Sequence, residues 1–161
     1  MRTLALVGVA VLVGFGVWLL LDRGEDENEV AGRQGLVTQV VDGDTLRARV
    51  GGSTERVRLI GVDAPERREC HFARSAGLLR GLALDTVVRI QGDSTQRERD
   101  RFGRLLAYVV LPDGIDVGEV LLERGAAVVF ETRPPFERRE TYVEAQAEAA
   151  RASVGLHGAC R

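Results

Sequence analysis

Three carboxylates and one arginine that could bind a metal ion or a phosphate lie in a single segment, residues 40–66. The carboxylates belong to Asp44, Asp63 and Glu66, and the arginine is Arg58. Carboxylate and carbonyl oxygens are the ligands that Ca²⁺ and Mg²⁺ prefer, and the segment contains neither cysteine nor histidine. We therefore expect any metal held here to be a hard divalent cation.

A β-hairpin is the element that the sequence pattern predicts for this segment. Apolar and polar residues alternate over residues 44–50, Gly51-Gly52 is a turn signal, and residues 56–62 form the returning strand. The first of the three carboxylates lies at the start of one strand, and the other two lie just past the end of its partner. Antiparallel pairing brings these ends together, so we expect the three carboxylates to be close in space.

Arg58 lies within the apolar run of residues 57–62. A guanidinium buried there without a partner would be costly. Two interpretations remain open at this point. Either Arg58 pairs with a carboxylate of the hairpin, or it awaits an anionic substrate.

The spacing of apolar residues changes along the rest of the chain and predicts the other strands and helices. Further strands are expected at residues 36–41, 86–91 and 104–111. Helices are expected at residues 70–84, from the cap Asp116 to Gly125, and at residues 138–153. Five strands and three helices make an α+β domain.

The first 22 residues are predicted to be a membrane segment. Leu4 to Leu21 are eighteen residues without a charge, and such a helix is about 27 Å long, close to the ~30 Å hydrocarbon core of a bilayer. Arg2 precedes the run and acidic residues follow it, so the positive-inside tendency leaves the N-terminus cytoplasmic and places the rest of this single-pass chain outside the cell membrane. A cleaved signal peptide, which would give a secreted protein, is the alternative, although no small-residue cleavage site follows.

The remaining chain divides into a tether and one domain. Residues 23–35 are polar and acidic and predict a flexible tether, whereas residues 36–161 predict a single domain, which we expect to be a monomer. The chain has 22 basic residues, all arginine, and 24 acidic ones, of which two and five respectively precede Val30. The domain is therefore nearly neutral, and any phosphate binding must come from local clusters. One such cluster is Arg97, Arg99, Arg101 and Arg104, in which we expect Arg97 and Arg99 to lie in a solvated loop.

Three separated motifs resemble the staphylococcal nuclease family. They are Asp42-Gly43-Asp44-Thr45, the run from Arg58 to Glu66, and the run from Asp100 to Tyr108. Their order and spacing agree with the family over roughly Leu36 to Cys160. The resemblance implies that the five strands close into an OB-fold β-barrel with about three helices.

The resemblance also implies an activity. It predicts a Ca²⁺-dependent nuclease that hydrolyses phosphodiester bonds of DNA and RNA, with single-stranded or denatured strands preferred, to products with a 3′-phosphate. Asp44, Asp63 and the backbone carbonyl of Ala64 would bind the cation. A non-catalytic OB-fold module that binds nucleic acid or protein is the alternative.

The same resemblance assigns the other site residues. Glu66 would act as general base on the attacking water, while Arg58 and Arg104 would hold the phosphate and stabilise its developing charge. Arg101 and Phe102 would bind substrate, with Phe102 in place of a tyrosine of the family's best-known member.

Cys70 and Cys160 are the two cysteines of the chain. In an exported domain an even number of cysteines predicts a disulfide, which here would tie the C-terminal tail to the start of the first helix. Two free thiols in a reducing compartment are the alternative. His71 and His157 lie far from the carboxylate motifs in sequence, and we expect both to be structural.

Overall fold

The computed structural model describes residues 32–160. The strands in this part of the chain are β1 (Arg33–Val40), β2 (Thr45–Val50), β3 (Ser53–Leu59), β4 (Val62–Asp63), β5 (Val87–Gln91), β6 (Leu105–Val110) and β7 (Val128–Val129). Five of them form a closed barrel in the order β1-β2-β3-β6-β5, as predicted. All neighbouring strands of the barrel pair antiparallel except β3 and β6, which run parallel.

The β2–β3 hairpin has the register that its two-residue turn dictates. Gly51 and Gly52 have φ angles of 55° and 87°, the left-handed conformations that a type I′ turn requires. Pairing outward from this turn places Thr45 directly opposite Arg58. The turn thus sets which side chains meet at the far end of the hairpin.

The first strand begins earlier than the sequence pattern predicts. Arg33 pairs with Ile90, and Gly35 lies between Val88 and Val50. A Cβ at Gly35 would lie 2.9 Å from side-chain atoms of Ile90 and Val50, so the glycine permits a close contact between neighbouring strands. In sequence, however, the polar and glycine residues at positions 33–35 resemble a linker. The prediction of a tether was therefore wrong for residues 33–35, and the domain begins before residue 36.

A second, two-stranded sheet was not predicted. The short strands β4 and β7 pair antiparallel, with Val62 opposite Val129 and Asp63 opposite Val128. Asp63 accordingly lies within a strand rather than just past the end of one. Two-residue strands are too short to show a period in sequence.

Four helices pack around the barrel in the described part of the chain. They are α1 (Phe72–Ala83), α2 (Val117–Glu123), α3 (Arg139–Arg151) and the single-turn α4 (Leu156–Ala159). The first three correspond to the predicted helices. Alternate strand residues such as Leu46, Val57 and Leu105 fill the barrel interior, and Leu79 and Leu121 bring α1 and α2 into the same core.

Helices α2 and α3 share a buried polar contact. Asp116 caps α2 by accepting a 2.8 Å hydrogen bond from the N–H of Gly118. The hydroxyl of Tyr142 on α3 donates to the same carboxylate, with its oxygen 3.0 and 2.9 Å from the two carboxylate oxygens. The cap that was predicted for α2 thus also holds α3 in place.

Within residues 32–160, none of the helices combines the length and the apolar character needed to span a bilayer. The membrane segment expected at residues 4–21 lies outside the described residues, and so does most of the expected tether. Predictions about these segments stay predictions.

Candidate active site

Arg58 lies between the carboxylates of Asp44 and Asp63. Its Nε is 3.2 Å from Oδ1 of Asp44, and its Nη2 is 3.2 Å from Oδ1 of Asp63. Its Nη1 donates to the backbone carbonyls of Leu59, at 3.0 Å, and of Val62. Of the two interpretations of Arg58, pairing with carboxylates is the one that the structure bears out. Its three hydrogen bonds within residues 32–160 leave two of the five guanidinium N–H groups for a further acceptor.

Arg104, the residue before strand β6, lies near the same carboxylate. The guanidinium Nε donates to Oδ2 of Asp100 at 2.6 Å, and Nη1 lies 3.4 Å from the hydroxyl of Thr45. That hydroxyl donates to Asp44 at 3.0 Å, so Thr45 links the second arginine to the first carboxylate. Two guanidinium groups, one from strand β3 and one from the residue before β6, are therefore linked to Asp44 at the start of strand β2, the first directly and the second through Thr45.

Asp100 holds the turn that precedes Arg104. Its Oδ1 accepts the backbone N–H groups of Phe102 and Arg104, each at 2.9 Å. Partial burial favours a raised pKa for Asp100, but the hydrogen bonds from Arg104 and Phe102 outweigh burial and lower the pKa. Asp100 is therefore ionised near neutral pH and fixes the direction of the Arg104 side chain.

Two exposed aromatic rings flank the arginines. Phe102 is 63% and Phe130 is 51% exposed, although large apolar side chains are usually buried. The guanidinium of Arg104 lies 5.5 Å from the Phe102 ring centre, and that of Arg58 lies 6.0 Å from the Phe130 ring centre. Arg101 covers Phe102 at 4.7 Å, which places both residues predicted to bind substrate at the rim of the site.

The loop after β4 carries Ala64 and Glu66. Ala64 contacts Asp44 through its backbone N–H, which donates to Oδ2 at 2.9 Å. Glu66 is exposed, and its backbone N–H donates to the carboxylate of Glu69 at 2.7 Å. Among the described residues its own carboxylate has no hydrogen bond or ion pair, so it is free to accept a proton from water.

The electrostatics of Asp44 fit a bound cation. Burial raises the pKa of its carboxyl to about 6, against the lowering effect of Arg58 and of the Ala64 N–H. Keeping Asp44 ionised is therefore costly, and a nearby positive ion would offset that cost. The available donors are all oxygens, from Asp44, Asp63 and the Ala64 carbonyl, which suits a hard divalent cation.

The two cysteines lie elsewhere. Cys70 and Cys160 form a disulfide, as predicted, with their Cα atoms 5.8 Å apart. His71 has a ring nitrogen within 4.8 Å of both sulfur atoms, and the three residues form a group that could hold a metal ion if the thiols were free. Because the disulfide consumes both thiols, this cluster is not a metal site in the folded domain.

Thr45 and Asp100 are site residues for which no role was predicted from the sequence. The turn at Gly51-Gly52 was a signal for Thr45, because a two-residue hairpin turn places residue 45 opposite residue 58. For Asp100 the signal was weaker, since an aspartate four residues before an arginine in a loop has many possible partners.

The sequence is similar to those of known proteins. A family model described as "Staphylococcal nuclease homologue" matches residues 56–158. The chain is 31% identical over 138 residues to the thermonuclease of Staphylococcus intermedius, covering 82% of this chain and 80% of that protein. It is also 29% identical over 131 residues to the micrococcal nuclease of Shigella flexneri, covering 76% and 72% of the two chains.

A shorter match has higher identity. An uncharacterized endonuclease of Escherichia coli O157:H7 is 35% identical over 97 residues, which covers 60% of this chain. The matched part spans 61% of the length of that relative.

Proposed function

The chain belongs to the family of staphylococcal nuclease homologues, and on that premise we propose that it hydrolyses phosphodiester bonds of DNA and RNA. The observation that carries the proposal is that Arg58 pairs with the carboxylates of Asp44 and Asp63, while Arg104 is linked to Asp44 through the hydroxyl of Thr45. Two guanidinium groups can bind the oxygens of one phosphate, and carboxylates can hold a cation next to it. The relatives are named as nucleases, which supports this assignment.

The proposed cofactor is Ca²⁺, held by Asp44, Asp63 and the Ala64 carbonyl. When bound, the cation would supply positive charge to polarise the phosphate. Arg58 and Arg104 would orient the phosphate and stabilise the charge that develops on its oxygens. Thr45 bridges Arg104 and Asp44, while Asp100 directs the Arg104 side chain.

Glu66 is the proposed general base. Its exposed carboxylate can take a proton from a water molecule as that water attacks the phosphorus. The leaving group would be the 5′-oxygen of the next nucleotide, which leaves the phosphate on the 3′-oxygen. Phe102 and Phe130 offer apolar faces on which single-stranded bases can stack, which favours denatured over double-stranded substrate.

A digestion assay on the purified full chain tests the proposal. Heat-denatured DNA and RNA should be cleaved with added Ca²⁺ to 3′-phosphate ends and left intact in chelator. Glu66→Ala should lower turnover by about 10²–10⁴-fold, the usual share of a general base. Arg97→Ala, in an exposed loop position outside the site, is the control and should change turnover by less than about threefold.

The outcomes separate the two candidate functions. Undiminished cleavage in chelator would contradict the cation assignment. Binding of denatured DNA with no cleavage under any metal condition would instead identify a non-catalytic binding module.

We also propose that the domain lies outside the cell membrane, held by residues 4–21. The uncharged run and the acidic residues after it support this topology, and a disulfide is compatible with an oxidising compartment. Protease added to cells with an intact inner membrane should then degrade or release the domain. Recovery of a soluble form that begins near Arg23 would show a cleaved signal peptide, and full protection from protease would reverse the orientation.

A further inference from the structure

Three exposed arginines lie on the outer face of the β2–β3 hairpin. Arg47 and Arg49 belong to β2, and Arg56 belongs to β3. We call this set the hairpin stripe. Arg47 lies directly opposite Arg56, on the side of the ladder that also presents Thr45 and Arg58, because residues two apart in a strand share a face.

No carboxylate neutralises the hairpin stripe within residues 32–160. None of its three guanidinium groups has an ion pair in that part of the chain. Glu55 is the single acidic residue of strands β1, β2 and β3, and it faces Arg99, whose Nη1 and Nη2 lie 2.8 and 3.0 Å from its carboxylate. The β1 residues opposite Arg47 and Arg49 are Gln39 and Leu36, which carry no charge.

This arrangement costs stability unless an anion is bound. Like charges directly opposite each other in an antiparallel ladder are destabilising, and Arg47 and Arg56 are such a pair. The domain as a whole is nearly neutral, with twenty arginines and nineteen acidic residues after residue 29. An unneutralised row is therefore a local feature of this face and not a consequence of a basic protein.

The hairpin stripe continues from the proposed active site. A strand rises ~3.3 Å per residue, so Arg56 lies roughly 7 Å and the Arg49 level roughly 13 Å from Arg58 along the hairpin. In a nucleic-acid strand whose scissile phosphate contacts Arg58 and Arg104, the neighbouring phosphates would contact the hairpin stripe. Aromatic rings at one end and a basic track leading away are the two components by which proteins bind single strands without sequence preference.

We propose that Arg47, Arg49 and Arg56 bind the phosphodiester backbone of a single-stranded nucleic acid on one side of the scissile phosphate. The inference rests on the proposed nuclease function and adds a substrate-binding track to it. It predicts that the protein favours long strands over dinucleotides, because a dinucleotide cannot reach the hairpin stripe.

Binding without cleavage tests the proposal directly. The triple variant Arg47→Gln/Arg49→Gln/Arg56→Gln is compared with the unchanged full chain, using a fluorescent single-stranded 16-mer in chelator and fluorescence anisotropy across a salt series. Each phosphate contact on a single strand contributes ~0.7 to the slope of log affinity against log salt, so the slope should become shallower by about 2. From about 50 to about 200 mM salt the unchanged protein should lose about 20-fold more affinity than the variant.

The matched control is Arg80→Gln/Arg124→Gln/Arg151→Gln, which removes the same charge from three exposed positions outside the hairpin. Its salt slope should change by less than about 0.5, because these residues do not contact the strand. A slope that falls equally in both triple variants would assign the effect to net charge and overturn the proposal, as would an unchanged slope in the hairpin variant. A circular dichroism spectrum of each variant that matches that of the unchanged protein shows that the barrel is folded.

Cleavage kinetics give a second readout that separates the two proposals. In the hairpin variant at about 0.1 M salt, the ratio of kcat/KM for a long nucleic-acid strand to kcat/KM for a dinucleotide should decrease by about 10- to 100-fold. If the unchanged protein cleaves neither substrate, the nuclease proposal fails. The salt slopes from anisotropy still show whether the hairpin stripe binds single-stranded nucleic acid. If vesicles of anionic lipid lose binding in the hairpin variant while the 16-mer does not, the partner is a membrane surface and this proposal is wrong.

Discussion

At the scale of single residues, Asp44 is the group that most directly links the site to pH. It is 6% exposed, and burial raises the pKa of its carboxyl from 3.8 to about 6, although Arg58 opposes the shift. The folded protein therefore holds this proton more tightly than the unfolded chain does. In the absence of a cation, ionising Asp44 works against folding.

We predict that metal-free protein loses stability as pH rises through this window. The free energy of unfolding should fall between about pH 4 and pH 7 by on the order of 3 kcal/mol relative to Asp44→Asn, which has no proton to lose. Urea unfolding of both proteins in chelator at several pH values measures the difference. A constant difference across this range would show that the Asp44 pKa is not raised, and added Ca²⁺ should remove the loss if the cation assignment is right.

At the scale of elements, the polar contact between α2 and α3 is what orients the last long helix. Tyr142 is 1% and Asp116 is 7% exposed, and the hydroxyl is shared between both carboxylate oxygens. A Cβ at Gly118 would lie 2.4 Å from that hydroxyl, so the first turn of α2 has room for no larger residue. Among the described residues, neither side chain forms a hydrogen bond or an ion pair with Arg58 or Arg104.

Tyr142→Phe should therefore lower stability without removing activity. The variant leaves the buried Asp116 carboxylate short of one donor, which costs about 1–3 kcal/mol. Thr141→Ala, at the exposed neighbouring position, is the control and should change stability by less than about 0.5 kcal/mol. Denaturant unfolding gives the stability, and the digestion assay should give a turnover within about threefold of the unchanged protein.

Among the elements, some strands could be predicted from the sequence and others could not. Period-2 alternation identified the five barrel strands, because one face of each strand packs on the core, and the Gly-Gly turn determined the pairing of Thr45 with Arg58. The start of β1 was missed because Arg33, Gln34 and Gly35 lack an apolar pattern, although all three pair with β5 and Gly35 also pairs with β2. The β4–β7 pair was missed because it depends on contacts between segments far apart in sequence.

The site followed the same division. Arg58, Asp63 and Arg104 were named from motifs, and Arg104 has a local partner in Asp100, but its contact with Thr45 and the pairing of Arg58 with Asp44 join residues far apart in sequence. Nothing in the local sequence indicates that Arg138 pairs with Asp116, or that Tyr108 donates to Asp93. Such long-range polar pairs depend on the tertiary fold, whereas a motif is recognised from the residue types and spacing of one short segment.

At the scale of the whole molecule, the disulfide connects the two ends of the helical layer. Cys160 follows α4, which has no buried residue of its own and is otherwise held by the hydrogen bond from Leu156 N–H to the Gly125 carbonyl at 2.8 Å. Cys70 lies four residues after Glu66, in the loop that carries the proposed general base. The disulfide therefore limits the freedom of both the C-terminal tail and this loop.

Removing the disulfide should destabilise the protein. The bond joins residues 90 positions apart, and the chain-entropy model gives about 4–5 kcal/mol for a loop of that length, with measured losses often smaller. Cys70→Ser/Cys160→Ser should unfold at lower urea concentration and exchange the amide hydrogens of residues 155–160 faster, because α4 lacks a core contact that would replace the bond. The unchanged protein should show the same two changes when dithiothreitol is added, whereas the double variant should not respond to the reductant. Equal stability of the oxidised and reduced forms would mean that α4 and the loop are held by packing alone, and the disulfide would then have no part in positioning Glu66.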